Sequence, residues 1–265
     1  MGTQLSLSVS LVVYDLNEQE LRECIGSLEE SIQRSREIGI PIDWHLTLVD
    51  NGSNQVRLNT FINSNVTVTH NQSNVGFGAA HNQVIAAAES ELHLILNPDV
   101  ILAKDSLEAL LKLLINNPQV VMVGPRGETG EGENAYLCKR FPSLFVLLLR
   151  GFMPSAVQAM FTQPLAHYEC RDLDQKTPTI GVELISGCCT LARTSVLKQL
   201  EGFDVGYFLY FEDFDLCIRA SRLGEIAYQP LARITHYGGN SARKGFRHIW
   251  YFSRSAFRFF TRHRR

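Results

Sequence analysis

Strand-like and helix-like segments alternate along the first half of the chain, and this constrains the fold more than any other feature. Leu5 to Tyr14 is rich in Val and Leu and reads as a strand. Glu18 to Arg36 repeats apolar residues at helical spacing (Leu21, Ile25, Leu28, Ile32). Trp44 to Val49, Val66 to His70, Leu92 to Leu96 and Val120 to Val123 predict further strands. Between them Val56 to Ile62 predicts a short helix, and Gly76 to Ala88 and Asp105 to Ile115 longer ones. Repeated βα units imply an α/β domain with a largely parallel sheet. Beyond Arg126 the pattern loosens. Gly127 to Gly132 reads as a loop, Leu144 to Phe161 as a helical excursion and Val182 to Ala192 as a strand. Asp213 to Leu223 reads as a helix, and Ile226 to Tyr228 as the start of another strand. No internal repeat is visible.

Composition narrows the class. Of 265 residues, 45% are hydrophobic and 20% charged, which excludes disordered, collagenous and low-complexity chains. The apolar run Leu144 to Leu149 is cut by Arg150 and followed by Pro154, too short for a spanning helix of roughly 20 residues. No basic stretch precedes the first apolar segment, so no signal peptide is expected. None of the six cysteines forms a C-x-x-C pair, so they are expected to be structural thiols in a reducing compartment. Charge is uneven. The segment from Arg243 to Arg265 holds eight cations and no acid, and the preceding 242 residues carry 17 cations against 27 acids, or −10. An acidic body with a basic tail suits an anionic partner.

In α/β sheets ligands sit at the carboxyl ends of parallel strands. Tyr14, Asp15 and Asn17 follow the first predicted strand, Asp50, Asn51 and Ser53 the second, and Asn97 and Asp99 the fourth. Asp and Asn also form turns, but three ends of the same type point to a ligand. Asn74-Val75-Gly76-Phe77-Gly78 leads into a helix with Asn82 one turn inside, where glycines let backbone approach a phosphate. It is not the dinucleotide fingerprint, because His81 stands where the third glycine would be. A single carboxylate such as Asp99 can hold Mg²⁺ or Mn²⁺ when phosphates and water complete the octahedron. Phe211-Glu212-Asp213-Phe214-Asp215 is the densest acidic cluster, set among Phe208 and Tyr210. A carboxylate there can take a proton from an attacking hydroxyl. Acids at a helix start also complement its dipole, and Asp215 fits that reading, with Arg219 four residues on. His236 precedes Tyr237-Gly238-Gly239-Asn240-Ser241, a glycine-containing loop.

Taken in order, Asp50-Asn51-Gly52-Ser53, Asn74 to Gly78, Leu96-Asn97-Pro98-Asp99, Gly202-Phe203-Asp204, Phe211 to Arg219 and His236 resemble family 2 glycosyltransferases. Within that family the chain looks most like bacterial rhamnosyltransferases that build O-antigen and related surface polysaccharides. The resemblance implies a GT-A fold, Rossmann-like with a mostly parallel central sheet, over residues 1–241, followed by a basic amphipathic helix over 242–265. It implies an inverting transfer of a sugar, with L-rhamnose from dTDP-rhamnose as the expected donor and a UDP-sugar as the alternative, to a polyprenyl-diphosphate-linked saccharide. By the same resemblance, Asp213 is the catalytic base beside Glu212, and Tyr14, Asp50, Asn51, Asn74, Gly76, Phe77, Gly78, Asn82, Asn97 and Asp99 surround the nucleotide sugar. Asp99 and His236 hold Mg²⁺ or Mn²⁺. Two positions depart from the pattern: Asn97 replaces the first acid of D-x-D, and Glu183-Leu184 stands where relatives often have Asp-Trp.

Arg247, Arg254, Arg258 and Arg262 fall on one helical face, with Ile249, Phe252, Phe259 and Phe260 largely elsewhere. This predicts contact with an anionic membrane surface and, for the whole protein, a cytoplasmic location peripheral to the inner face of the plasma membrane. A non-catalytic nucleotide-sugar scaffold is the competing class. Nucleic acid is not an expected partner, since the body is acidic.

Overall fold

The computed structural model describes residues 4–14, 18–52, 58–237 and 246–263. The chain runs β1 (Leu5–Val13), α1 (Glu18–Glu37), β2 (Ile42–Asp50), a 3₁₀ turn (Leu58–Phe61), β3 (Val66–His70), α2 (Phe77–Ala87), β4 (Leu92–Leu96), β5 (Val100–Leu102), α3 (Ser106–Asn116) and β6 (Val120–Glu128). It continues with β7 (Cys138–Lys139), α4 (Leu144–Phe152), α5 (Ser155–Gln158), a 3₁₀ turn (Ala159–Phe161), α6 (Thr162–Tyr168), β8 (Thr179–Ile180) and β9 (Leu184–Ile185). It ends with β10 (Cys189–Arg193), α7 (Thr194–Gln199), α8 (Glu212–Ala220), β11 (Glu225–His236) and α9 (Phe246–Arg262).

The nine-stranded sheet has the order β3-β2-β1-β4-β10-β6-β11-β5, with β8 on β11. Its first four strands are parallel, as the βα alternation predicts. The other half is mixed: β10 runs antiparallel to both β4 and β6, β11 is parallel to β6, and β5 and β8 are antiparallel to β11. The sheet is therefore less parallel than the sequence suggests, because β10 returns from the middle excursion instead of from a βα crossover.

Residue alternation decides which helix covers which face. Leu7, Val9, Leu11 and Val13 of β1 join Leu21, Leu28 and Ile32 of α1 and Leu110 and Leu114 of α3 in the main core. The opposite face carries Ser10, whose hydroxyl bonds buried His81 of α2 at 2.7 Å and His93 of β4 at 2.8 Å. Burial pushes both imidazoles down to about 3, so they pack there uncharged. The residue that breaks the dinucleotide fingerprint is thus a core histidine. Pro230 sits within β11, where the pairing to β6 shifts register between Gln229 and Arg233; the irregularity accommodates a residue with no N–H.

The predicted strand Val182 to Ala192 is broken into β9 and β10, and the break at 186–188 matters below. The C-terminal helix is not a free tail. Phe259 is fully buried and lies 5.1 Å from Phe211 and 5.3 Å from Phe141, ring to ring. His263 Nε2 is 2.8 Å from Asp215 Oδ1, and Arg258 and Arg262 both pair with Asp204. Two of the four arginines expected to face a membrane are therefore turned onto acids of the domain. Asp215 is fully buried and also takes Arg219 Nε at 2.6 Å, the pair its spacing predicts. Replacing His263 with Ala leaves one Asp215 oxygen without that buried partner, and is expected to lower unfolding free energy by about 1–3 kcal/mol in urea melts. An unchanged midpoint would show that the contact contributes nothing to stability.

Candidate active site

The carboxyl ends of β1, β2 and β3 finish level: Val13, Asp50 and His70 are register partners. Asp50 Oδ2 lies 3.0 Å from His70 Nδ1. His70 is a site neighbour that sequence reasoning missed; the shared register was its only signal. Tyr14 follows β1 and is exposed. Asp15, Asn17, Ser53 and the loop 238–241 lie outside the described residues.

Asn51 is the hub of the next layer. Its backbone N–H donates to Val13 O at 2.9 Å. Its side-chain oxygen accepts from Asn71 Nδ2 and the Val75 N–H, both at 3.1 Å, while its Nδ2 donates to Asn74 Oδ1 at 3.0 Å and Gly76 O at 3.3 Å. Asn74 Oδ1 also accepts from the Gly76 N–H at 2.9 Å. Both amides are committed to shaping the loop, so the surface they prepare is backbone. Gly76 has φ 95°, and a Cβ there would stand 2.7 Å from Phe208 O, which accepts the Phe77 N–H at 3.0 Å. Only glycine satisfies both the dihedral and that approach. A Cβ on Gly78 would meet Phe203 Cβ at 2.6 Å, so that glycine serves packing of helix on loop. Asn82, expected at the donor, instead brackets Phe203: its Nδ2 donates to Phe203 O and its Oδ1 accepts the Phe203 N–H, both at 2.8 Å.

On the other side of β1, β4 ends at Leu96 and the Asn97 N–H donates to Cys188 O at 2.7 Å. Asn97 Oδ1 is buried and has no partner among the described residues. His236, at the end of β11, pairs in register with Val100, which brings its Nε2 within 3.4 Å of Asp99 Oδ1. The Tyr237 N–H donates to Asp99 O at 3.1 Å, fixing that approach. The break between β9 and β10 carries the link to the acidic cluster. While Cys188 holds Asn97, the N–H of adjacent Gly187 donates to Asp213 Oδ2 at 3.1 Å. Burial pushes the Cys188 thiol up to about 12, and Asp99 and Asp213 both add to that rise, so the thiol feels both carboxylates. Gly187 is a second residue that sequence reading passed over, because it lay inside a predicted strand.

Asp213 and Glu212 open α8 from a strained turn. Tyr210 and Phe211 have φ of 70° and 65°, a region non-glycine residues rarely adopt, at a cost of about 1–3 kcal/mol each. Phe211 is held there by Phe252 and Phe259 of α9, at 5.2 and 5.1 Å. Burial raises the carboxyl of Glu212, and the neighbouring Asp213 charge raises it further, up to about 8. Burial also raises Asp213, but N–H bonds from Gly187 and from Phe214 at 2.9 Å oppose that rise, as does the Lys139 ammonium. Among the described residues Glu212 Oε2 has no partner. Asp213 accepts two N–H bonds, so the anion of the pair is favoured on Asp213 and the proton on Glu212.

This has a consequence for stability. Unfolding releases the Glu212 proton wherever pH lies between the ordinary glutamate value and about 8, so stability falls as pH rises through that window. Glu212→Gln removes the effect. It is expected to melt at the same temperature as wild type near pH 4 and about 3 °C or more above it at pH 8. Parallel melting curves at both pH values would contradict the proton assignment.

The sequence matches the family model described as Glycosyl transferase family 2 over residues 8–201. The chain belongs to glycosyl transferase family 2. Among curated relatives, N-acetylglucosaminyl-diphospho-decaprenol L-rhamnosyltransferase of Mycobacterium tuberculosis is 29% identical over 73% of the chain and 66% of the relative. The chain thus spans slightly less than two thirds of that protein's length. Rhamnosyltransferase WbbL of Escherichia coli K12 is 28% identical over 71% and 72%. Among solved structures, GalNAc-T7 with UDP, GalNAc and Mn²⁺ superposes at TM-score 0.65 and 15% identity, covering 90% of this chain and 45% of that one. TarS of S. aureus with UDP gives 0.57 and 16%, covering 90% and 62%. These likenesses establish the GT-A glycosyltransferase fold expected from the motifs.

Asp99 and His236 fit a divalent cation as two converging ligands, with the partnerless Asn97 oxygen close in sequence. Among the described residues no group of three or more His, Cys, Asp or Glu is arranged for a metal. Two protein ligands would leave the remaining positions of a divalent cation to phosphates and water.

Proposed function

We propose that the protein is an inverting glycosyltransferase that moves a sugar, L-rhamnose from dTDP-rhamnose in our reading, onto a lipid-linked saccharide in cell-surface polysaccharide synthesis. The observation that carries this reading is the Gly187-Cys188 segment. One of its residues holds the base-side Asp213 and the next holds Asn97, two positions before Asp99. The names of the mycobacterial and E. coli relatives support the rhamnosyl donor, and the former supports an acceptor linked through diphosphate to a polyprenol.

In this reading Asp50 and His70 border the base and ribose, and the Gly76-Phe77-Gly78 turn borders the donor. Asp99 and His236 would hold a divalent ion, which when bound would supply charge neutralisation for the departing nucleoside diphosphate. Asp213, ionised and oriented by two N–H groups, accepts the proton of the acceptor hydroxyl as its oxygen forms the bond to the anomeric carbon. The bond from that carbon to the diphosphate oxygen breaks, and a single displacement inverts the centre. Glu212, protonated, leaves Asp213 as the one base of the pair. The aromatic wall of Phe208, Tyr210, Phe211 and Phe214 limits water.

Calorimetric titration with dTDP, UDP and GDP, each with Mg²⁺, Mn²⁺ or chelator, tests the reading. Metal-dependent preference for dTDP is expected. Preference for UDP would replace the donor but keep the mechanism. No binding by folded protein would favour a scaffold with no transferase activity.

A further inference from the structure

Two segments of this chain contain no acid: residues 143–168, which include α4, α5 and α6, and residues 246–263, which include α9. The chain holds 27 acids, so acid-free stretches of this length are conspicuous. The two segments share one apolar cluster, in which Val146, Leu147, Leu149 and Leu165 gather with Phe259. Phe141, just before α4, touches both Phe259 and Phe260.

What each segment presents outward is apolar as well. Leu144 is 61% exposed, Leu148 55% and Met160 78%, and Phe145 meets Phe161 edge to face at 5.2 Å. On α9, Arg247, Trp250, Arg254 and Phe257 follow one another at offsets of three and four, and all are exposed. Trp250 is 56% and Phe257 74% exposed. Arg254 lies over the Trp250 ring at 5.4 Å, and among the described residues neither Arg247 nor Arg254 has an acidic partner. Large exposed aromatics and aliphatics with unpaired arginines and no acids are the composition of an interfacial lipid-binding surface.

We infer that the outer faces of α4–α6 and α9 together form the surface that lies on an anionic lipid bilayer. The inference builds on the proposed glycosyl transfer to a lipid-linked acceptor. The positive charge comes from Arg247 and Arg254, since Arg258 and Arg262 are held by Asp204, and most of the apolar contact comes from α4 and the turn at Met160. The same segment packs against the turn that opens α8: Val146, Leu147 and Leu149 of α4 share one apolar cluster with Phe211, and Arg150 at the end of α4 pairs with Glu169 at 3.3 Å.

The test is cosedimentation of the full chain with vesicles of phosphatidylcholine alone or with about 30 mol% phosphatidylglycerol. Wild type is expected to bind the anionic vesicles. Phe145→Ser with Leu148→Ser, and Trp250→Ser with Phe257→Ser, are each expected to weaken that binding about tenfold or more. Arg254→Glu is expected to weaken binding to anionic vesicles only. Met160→Ser, at a largely exposed side chain, serves as the variant that cannot act through unfolding, and it too is expected to bind more weakly. Vesicle binding unchanged across these variants, or absent in wild type, overturns the inference. So does a wild-type dimer in sedimentation equilibrium that the double variants convert to monomer, which would make a second copy the occupant. No donor or acceptor is present, so failure here leaves nucleotide binding, and with it the functional reading, separately measurable.

Discussion

Asp213→Asn is expected to lower the rate of sugar transfer by about 10³-fold or more, while nucleotide affinity stays within about threefold of wild type. The amide keeps the size of the side chain, and its one oxygen still accepts either the Gly187 or the Phe214 N–H, which reach different oxygens of Asp213, but it cannot take a proton. Glu212 does not substitute. Its carboxyl stays buried in the variant, and burial, the larger cause of its raised pKa, persists when the Asp213 charge is lost. Steady-state kinetics with the donor identified by calorimetry, combined with nucleotide titration, makes the check. Loss of nucleotide binding together with transfer would assign Asp213 a structural part instead. The pH–rate profile adds a second reading. Because burial raises Asp213, the acid limb of wild type is expected above the ordinary aspartate range, with activity rising as pH rises through it.

Asp99→Ala is the second large effect. It removes a cation ligand while leaving the turn intact, since the Tyr237 and Val100 N–H groups bond backbone oxygens of Asp99 and Asn97. Metal-dependent nucleoside diphosphate affinity is expected to fall about a hundredfold or more, and the residual binding to be the same with Mg²⁺ as with chelator. His236→Ala is expected to give a smaller loss in the same assay, since a carboxylate is the stronger ligand for a hard cation. Equal affinity of Asp99→Ala and wild type in the presence of Mg²⁺ would remove the metal from the reading of this site.

Both variants probe residues that a sequence reader can find. Asp99 and Asp213 stand in turn and helix-start contexts where an acid with that spacing is conspicuous, and Asp50, Gly76 and His236 are legible in the same way. Their neighbours were not. His70 reaches Asp50 only because β2 and β3 end in register, a fact held in strand pairing. Gly187 donates to Asp213 only because a predicted continuous strand breaks at 186–188, where the Ser186-Gly187 dipeptide is the one local mark of the break. Asn51, Asn74 and Asn82 show the converse. Their type suggests ligand contact, yet their amides satisfy backbone and side-chain groups brought near from as far as 121 residues away. A polar side chain can serve a ligand or the loop that shapes its pocket, and composition does not distinguish the two.

The C-terminal helix shows the same division. Its amphipathic spacing and basic charge were plain in the sequence. That Phe259 would be fully buried against the strained Phe211, and that Arg258 and Arg262 would turn onto Asp204, depends on acids and aromatics contributed by residues 204–215.

The βα alternation, the parallel half of the sheet, the glycine at position 76 and the identity of the chemical groups are legible along the chain. They follow from local propensity, period and residue type, which each short segment carries within it. Long-range packing set which carboxylate of the Glu212–Asp213 pair favours the anion, that His70 meets Asp50, and which arginines of α9 pair with acids. Those properties arise from burial and from partners distant in the chain, and electrostatic energies depend on both.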